Sequence, residues 1–226
     1  MIIQSNVPLH DKNWFETGGP ARYFCQPTTP QNFQEAIQFA HANTLPIFFL
    51  GSGANILISD DGFDGLVIRP EKTNISIDAD DSELVTASAG TSMNDLIEFT
   101  LNHNLTGLEV FSNIPGTVGG SVFINLHYFE YFLSDFLVNA QVIDTTTYQI
   151  MNVDKDWFNF GYDQSTLMNK QHYLIAATFR LKKGSNSDTS YARGRRFEII
   201  RHRQSRYPRE KTCGSFFRNF HDDEVT

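Results

Sequence analysis

Apolar residues recur at helical spacing in two stretches of the chain, and at every second position or without interruption in several others. In "TTPQNFQEAIQFAHAN", residues 28–43, Phe33, Ala36, Ile37 and Ala40 share one face, with Thr29 as N-cap and Pro30 in the first turn. In "SMNDLIEFTLNHN", 92–104, Ser92 caps a helix that turns Met93, Leu96, Ile97 and Leu101 inward. The runs "PIFFL" (46–50), "GLVIR" (65–69), "NISIDA" (74–79), "ELVTASAG" (83–90), "FLVNAQVID" (136–144), "YQIMNVD" (148–154) and "YLIAATFRL" (173–181) read as strands. The pattern predicts an α+β protein: a small β/α lobe over residues 1–70, then a larger strand-rich lobe over 71–204.

Glycine-rich segments punctuate this pattern. "LGSGANILISDDGFDG", 50–65, follows an apolar strand; "SAGTS", 88–92, lies between a strand and a helix start; "IPGTVGGSVFIN", 114–125, adds Gly116, Gly119 and Gly120 with Thr117 and Ser121. Glycines let the main chain approach a ligand and turn several N–H groups toward one anion. The first loop is neither a Walker loop, lacking GK[ST], nor GxGxxG, because Ile56 takes the place of the third glycine. Alone it is better explained by a turn. Three such loops together suggest a surface shaped around a phosphate-bearing ligand, with Gly62 and Gly65 as turn positions.

Composition narrows the classes. With 40% hydrophobic and 19% charged residues among 226, the chain is expected to fold. A net charge of −8 argues against nucleic acid as a partner. The eight basic residues from Arg193 to Lys211 form either a solvated helix face or a phosphate contact. Cys25 and Cys213 have no metal-ligand spacing, so no metal and a reducing compartment are expected. The start "MIIQSNVPLHDK" lacks signal-peptide features, and the apolar region 110–138 is broken by Asn113, Pro115, Glu130 and Asp135. Together these predict a cytoplasmic protein with no membrane partner.

Motifs in order carry a resemblance. "NWFETGGPARYF" (13–24), "LGSGANILISDDGFDGLVIR" (50–69), "NIPGTVGG" (113–120), "GYDQS" (161–165) and "CGSFFRN" (213–219) resemble the UDP-N-acetylenolpyruvoylglucosamine reductases, also called UDP-N-acetylmuramate dehydrogenases. The likeness runs from about residue 6 to residue 220. It implies the two-lobed α+β FAD-binding fold of the vanillyl-alcohol oxidase (PCMH) type, with FAD between the lobes and NADPH as reductant. By the same resemblance Gly51, Ser52, Gly53, Ala54 and Asn55 would hold the FAD diphosphate. Ala89, Gly90, Thr91, Ser92, Ile114, Pro115, Gly116, Thr117, Gly119, Gly120 and Asn125 would line the rest.

The implied activity is reduction of the enolpyruvyl group of a UDP-sugar in peptidoglycan synthesis, with Ser215 as proton donor and Tyr162 and Asp163 at the substrate. Three departures bear on it. Asp163 stands where the family's arginine would hold the substrate carboxylate, and is otherwise a solvated turn acid. "NLHYFEYFLSD", 125–135, puts His127, Tyr128, Phe129 and Glu130 where small residues are usual, with His127 read as packing. Residues 205–226 are read as the start of a truncated substrate domain, with Glu224 too near Ser215 to be the family's assisting glutamate. Hence the alternative of an impaired or inactive flavin- or partner-binding relative, or of a fragment. Arg201 and Arg206 are either phosphate contacts or surface residues, and Tyr162 either shapes the site or closes a strand end.

Overall fold

The computed structural model describes residues 1–71 and 74–207. In chain order these form strands β1 (Ile3–Pro8) and β2 (Pro20–Cys25), helix α1 (Pro30–Ala42), β3 (Ile47–Phe49), β4 (Phe63–Ile68), β5 (Ile75–Ile77), β6 (Leu84–Ser88), α2 (Met93–Asn102) and β7 (Leu105–Thr106). Then follow α3 (Val118–Phe123), β8 (His127–Tyr128), β9 (Tyr131–Phe132), β10 (Leu137–Asp144), β11 (Ile150–Asp154), β12 (His172–Arg180), β13 (Lys182–Lys183) and α4 (Asn186–Arg206).

The predicted helices and strands are present, and the caps act as expected: Thr29 accepts from Asn32 N and Ser92 from Asp95 N. The inward face of α1 is Phe33, Ala36, Ile37 and Ala40, all buried. Strands β1-β2-β4-β3 make a four-stranded sheet whose β2–β4 and β3–β4 pairs are parallel, so α1 serves as the crossover. Strands β11-β10-β12-β6-β5 make an antiparallel five-stranded sheet. The two sheets are not separate in packing: Ile143 and Ile175 from the second lie in one buried cluster with Leu66 and Ile68 from the first and Ile37 of α1. Phe49 stacks on Tyr173 at 3.6 Å between ring centroids, which closes the seam between the sheets at that point.

Several elements differ from expectation. The end of the third glycine segment is helical, with Thr117 capping α3. Residues 127–132 form the small hairpin β8–β9. Gly65 is not a turn residue: it sits inside β4, where an added Cβ would lie 2.3 Å from Pro46 O, whereas Gly62, at φ +80°, is one. The described part of the basic segment, Arg193 to Arg206, lies on α4, yet it is not simply solvated. Arg193 and Arg196 pair with Glu98 on α2, and Arg195 Nη2 lies 2.7 Å from Oε1 of the buried Glu109. Among the described residues no helix is long and apolar enough to cross a membrane.

Candidate FAD-binding site

Strand β3 ends at Phe49, and the next residues leave the sheet as the first glycine loop. Leu50 N still bonds Ile68 O at 2.9 Å; after that, among the described residues, no acceptor takes a hydrogen bond from the main-chain N–H of residues 51–55. Buried or half-buried amides without acceptors are rare in folded chains. Four of these five residues are buried or half-buried, Asn55 alone being exposed. A run of them is the kind of concavity that receives an anion.

The loop is braced from behind. Gly53 has φ +65°, and an added Cβ would lie 2.5 Å from Asn13 Cβ. Its carbonyl accepts from Trp14 N at 3.1 Å. Asn13 is itself fixed, Nδ2 donating to Leu9 O and Thr17 O at 2.7 Å each and Oδ1 accepting from Phe15 N at 3.0 Å. This brace was not read from the sequence; the signal was an asparagine opening "NWFETGG", a residue type that hydrogen-bonds its own neighbouring main chain. At Gly51 an added Cβ would lie 2.6 Å from Thr117 Oγ1, so the first loop touches the third.

The second and third loops are stitched to each other. Gly119 N donates to Ala89 O at 2.9 Å, Val118 N to Thr91 O at 2.8 Å, and Met93 N to Gly116 O at 3.1 Å. Gly90 is packed on the main chain of Pro70 and Glu71, with a Cβ position 2.3 Å from Pro70 O. Gly120 is different: among the described residues an added Cβ would meet only Thr117 Oγ1, at 3.7 Å, an ordinary contact. Asn113 has φ +61°, a left-handed conformation that asparagine tolerates. Its N–H bonds Asn94 Oδ1 and its carbonyl accepts from Arg203 Nε, both at 3.2 Å. Burial pushes the Arg203 guanidinium down from its ordinary range, and the ring of Tyr207 faces it at 4.9 Å.

The structure therefore brings residues 51–55, 89–92 and 114–120 to one edge of the molecule. Beside them a cleft of about 180 Å³, bordered by Ala89, opens between the start of α1 and β6, β10 and β12. Asn125 is buried, with Nδ2 donating to Gly161 O and Oδ1 accepting from Ser134 N. Tyr162 and Asp163 lie on an exposed turn with His127 beside them, its ring 4.5 Å from that of Tyr162. Arg201 pairs with Glu198 at 2.8 Å on the surface, and Arg206 is exposed against Tyr207. Cys25 is buried, its thiol pushed up to about 12 by desolvation. Ser215 and Cys213 lie outside the described residues.

Comparison with known proteins fits this geometry. Residues 21–150 match a family model described as an FAD binding domain. The solved cholesterol oxidase of Brevibacterium sterolicum shares the fold, with a TM-score of 0.60 at 15% identity over 80% of this chain and 37% of that one. The protein thus has the α+β FAD-binding fold of the vanillyl-alcohol oxidase type.

A narrower group follows from closer relatives. The chain is 31% identical over 217 residues to the UDP-N-acetylenolpyruvoylglucosamine reductase of Clostridium novyi, covering 96% of this chain and 69% of that protein. It is 30% identical over 219 residues to that of Listeria monocytogenes, covering 96% and 72%. The solved reductase of the same name from Thermus caldophilus superposes with a TM-score of 0.79 at 25% identity, over 96% of this chain and 76% of that one. The chain belongs to the UDP-N-acetylenolpyruvoylglucosamine reductase family.

Proposed function

We propose that the protein binds FAD and reduces the enolpyruvyl group of UDP-N-acetylglucosamine enolpyruvate to give UDP-N-acetylmuramate, with NADPH as reductant, in the cytoplasmic stage of peptidoglycan synthesis. The observation that carries this reading is the run of open amides at residues 51–55 in a chain of this family. Those five N–H groups would receive the FAD diphosphate. Ala89, Gly90, Thr91 and Ser92, with Ile114, Pro115, Gly116, Thr117, Gly119, Gly120 and Asn125, would line the remaining length of the cofactor. FAD, once bound, supplies hydride chemistry that amino-acid side chains lack.

The chain's own groups have two tasks. Fixed donors must meet the negative charge that develops on the substrate carboxylate, and such preorganised donors are typically worth about 10²–10³ in rate each. A proton must also reach the carbon next to the reduced one, and Ser215 is the proposed donor. Tyr162 and Asp163 are proposed to border the substrate.

Two measurements test the reading. Purified protein is expected to show a flavin absorption spectrum or to acquire one on adding FAD. Steady-state turnover of UDP-N-acetylglucosamine enolpyruvate with NADPH is expected, and Ser215→Ala is expected to abolish it while the flavin spectrum stays. Flavin uptake without turnover would instead favour an inactive flavin-binding relative, and absence of flavin uptake would end the proposal.

A further inference from the structure

The turn after Phe160 and the segment leaving α3 are registered to each other at two points. Ser165 Oγ donates to Phe123 O at 2.6 Å, and Asn125 Nδ2 donates to Gly161 O at 3.0 Å. The turn itself is closed by Gly161 N to Gln164 O at 3.1 Å and Gln164 N to Gly161 O at 3.4 Å. Asn125 and Asp163 both adopt left-handed φ, +50° and +51°. Asparagine and aspartate tolerate that conformation, which lets both residues sit in tight turns.

This registration sets His127 Nδ1 3.5 Å from Asp163 Oδ1. The rings of Tyr162, at 4.5 Å, and Phe132, at 5.6 Å, flank the imidazole. A ring held by aromatic neighbours and by a carboxylate at one nitrogen has its other nitrogen aimed in a fixed direction. Among the described residues Nε2 of His127 has no hydrogen-bond partner. Helix α3, six residues and so about 9 Å long, separates this pair from Thr117, where the third loop meets the first.

We propose that His127, oriented by Asp163, receives the carboxylate of the enolpyruvyl substrate by donating from Nε2. An imidazolium donates at both nitrogens, so Asp163 can accept at Nδ1 while Nε2–H faces the substrate. An isolated Asp163 would repel an anion; paired with His127 it becomes a positioning residue. The titratable groups around the ring are Asp163 and Tyr162 across from it, and Tyr128, Glu130 and Tyr131 on its own hairpin. This inference rests on the reductase reading above, and its test separates the two.

Protein labelled with ¹⁵N-histidine is titrated with UDP-N-acetylglucosamine enolpyruvate and, separately, with its carboxylate methyl ester, following the ring nitrogens by long-range ¹H–¹⁵N correlation. The His127 Nε2 resonance is expected to move with the acid and not with the ester. In turnover, His127→Ala is expected to reduce the kcat/KM preference for acid over ester about tenfold to hundredfold, as loss of a hydrogen bond to a charged group does. His127→Gln is expected to restore part of it, and Asp163→Asn to change the Nδ1 resonance with a smaller loss. Phe129→Ala, 67% exposed on the same hairpin, is the control and keeps the preference. An Nε2 signal indifferent to the acid, or an undiminished preference in His127→Ala, would overturn the inference. Failure to take up flavin would instead count against the reductase reading, because the resonance titration does not depend on turnover.

Discussion

The first glycine loop and the pair made by the second and third are alike in composition and opposite in hydrogen bonding. Residues 51–55 donate to no described acceptor, whereas the amides of Val118 and Gly119 are spent on carbonyls of the second loop. Glycine serves both, for different reasons. In the first loop it allows a left-handed turn against Asn13 and leaves the amides outward; at Gly90 it allows one main chain to lie on another. A small-residue loop is therefore a ligand cradle or a seam according to where its amides go.

Substitutions at single glycines break this comparison in graded ways. The largest effect is expected at Gly90, where a Cβ would meet main-chain atoms of Pro70 and Glu71 at 2.3–2.5 Å. Gly90→Ala is expected to cost about 3 kcal/mol or more, read as a shifted denaturant midpoint, because backbone rather than a side-chain tip must move. Arg195→Ala comes next. Glu109 is fully buried and lies close to the Arg195 guanidinium without an aligned hydrogen bond at Oε1, though Gly107 N still bonds its Oε2 at 2.6 Å. With Arg195 half exposed, the loss is expected near about 2 kcal/mol, below that for a fully buried pair. Arg201→Ala, which removes an exposed pair, is expected to cost less than about 1 kcal/mol.

Gly120→Ala sharpens the comparison from the other side. Among the described residues nothing obstructs a methyl group there, and alanine favours a helix over glycine by about 0.5–1 kcal/mol. Stability is expected to hold or rise while FAD affinity, measured by fluorescence titration, falls. Unchanged affinity would remove Gly120 from the cofactor's lining.

The smallest effect concerns α4. Desolvation raises the Glu98 carboxyl, but the Arg193 hydrogen bond and the charges of Arg196 and Arg193 outweigh it, so the net shift is downward. A depressed folded value means stability that is present above the unfolded carboxylate range and lost as pH falls through the folded value. Glu98→Gln is therefore expected to flatten the acid limb of a urea-midpoint profile measured from pH 6 to pH 3.

Local rules made the two capped helices legible, since Thr29 and Ser92 act within one turn of the apolar face they precede. The strands of the second sheet were legible for the same reason. Strand β1 was not: only Val7 of Ile3–Pro8 is buried, so it carries no alternating face. Helix α3 was hidden by two glycines in six residues, and its cap Thr117 read equally as a loop donor. The three loops could be named as site candidates, but no local pattern distinguishes open amides from stitched ones. That depends on β12, Asn13 and Pro70 arriving from distant parts of the chain. The role proposed for His127 was hidden likewise, since Asp163 reaches it only through the closed turn at 161–164.

Amide ¹H–¹⁵N spectra recorded while FAD is added test the cradle most directly. The account predicts that the N–H resonances of residues 51–55 move together on binding, as amides gaining acceptors, while those of Val118 and Gly119 keep their existing bonds and move little. FAD that binds while residues 51–55 stay still, or a protein that binds no FAD, would contradict it.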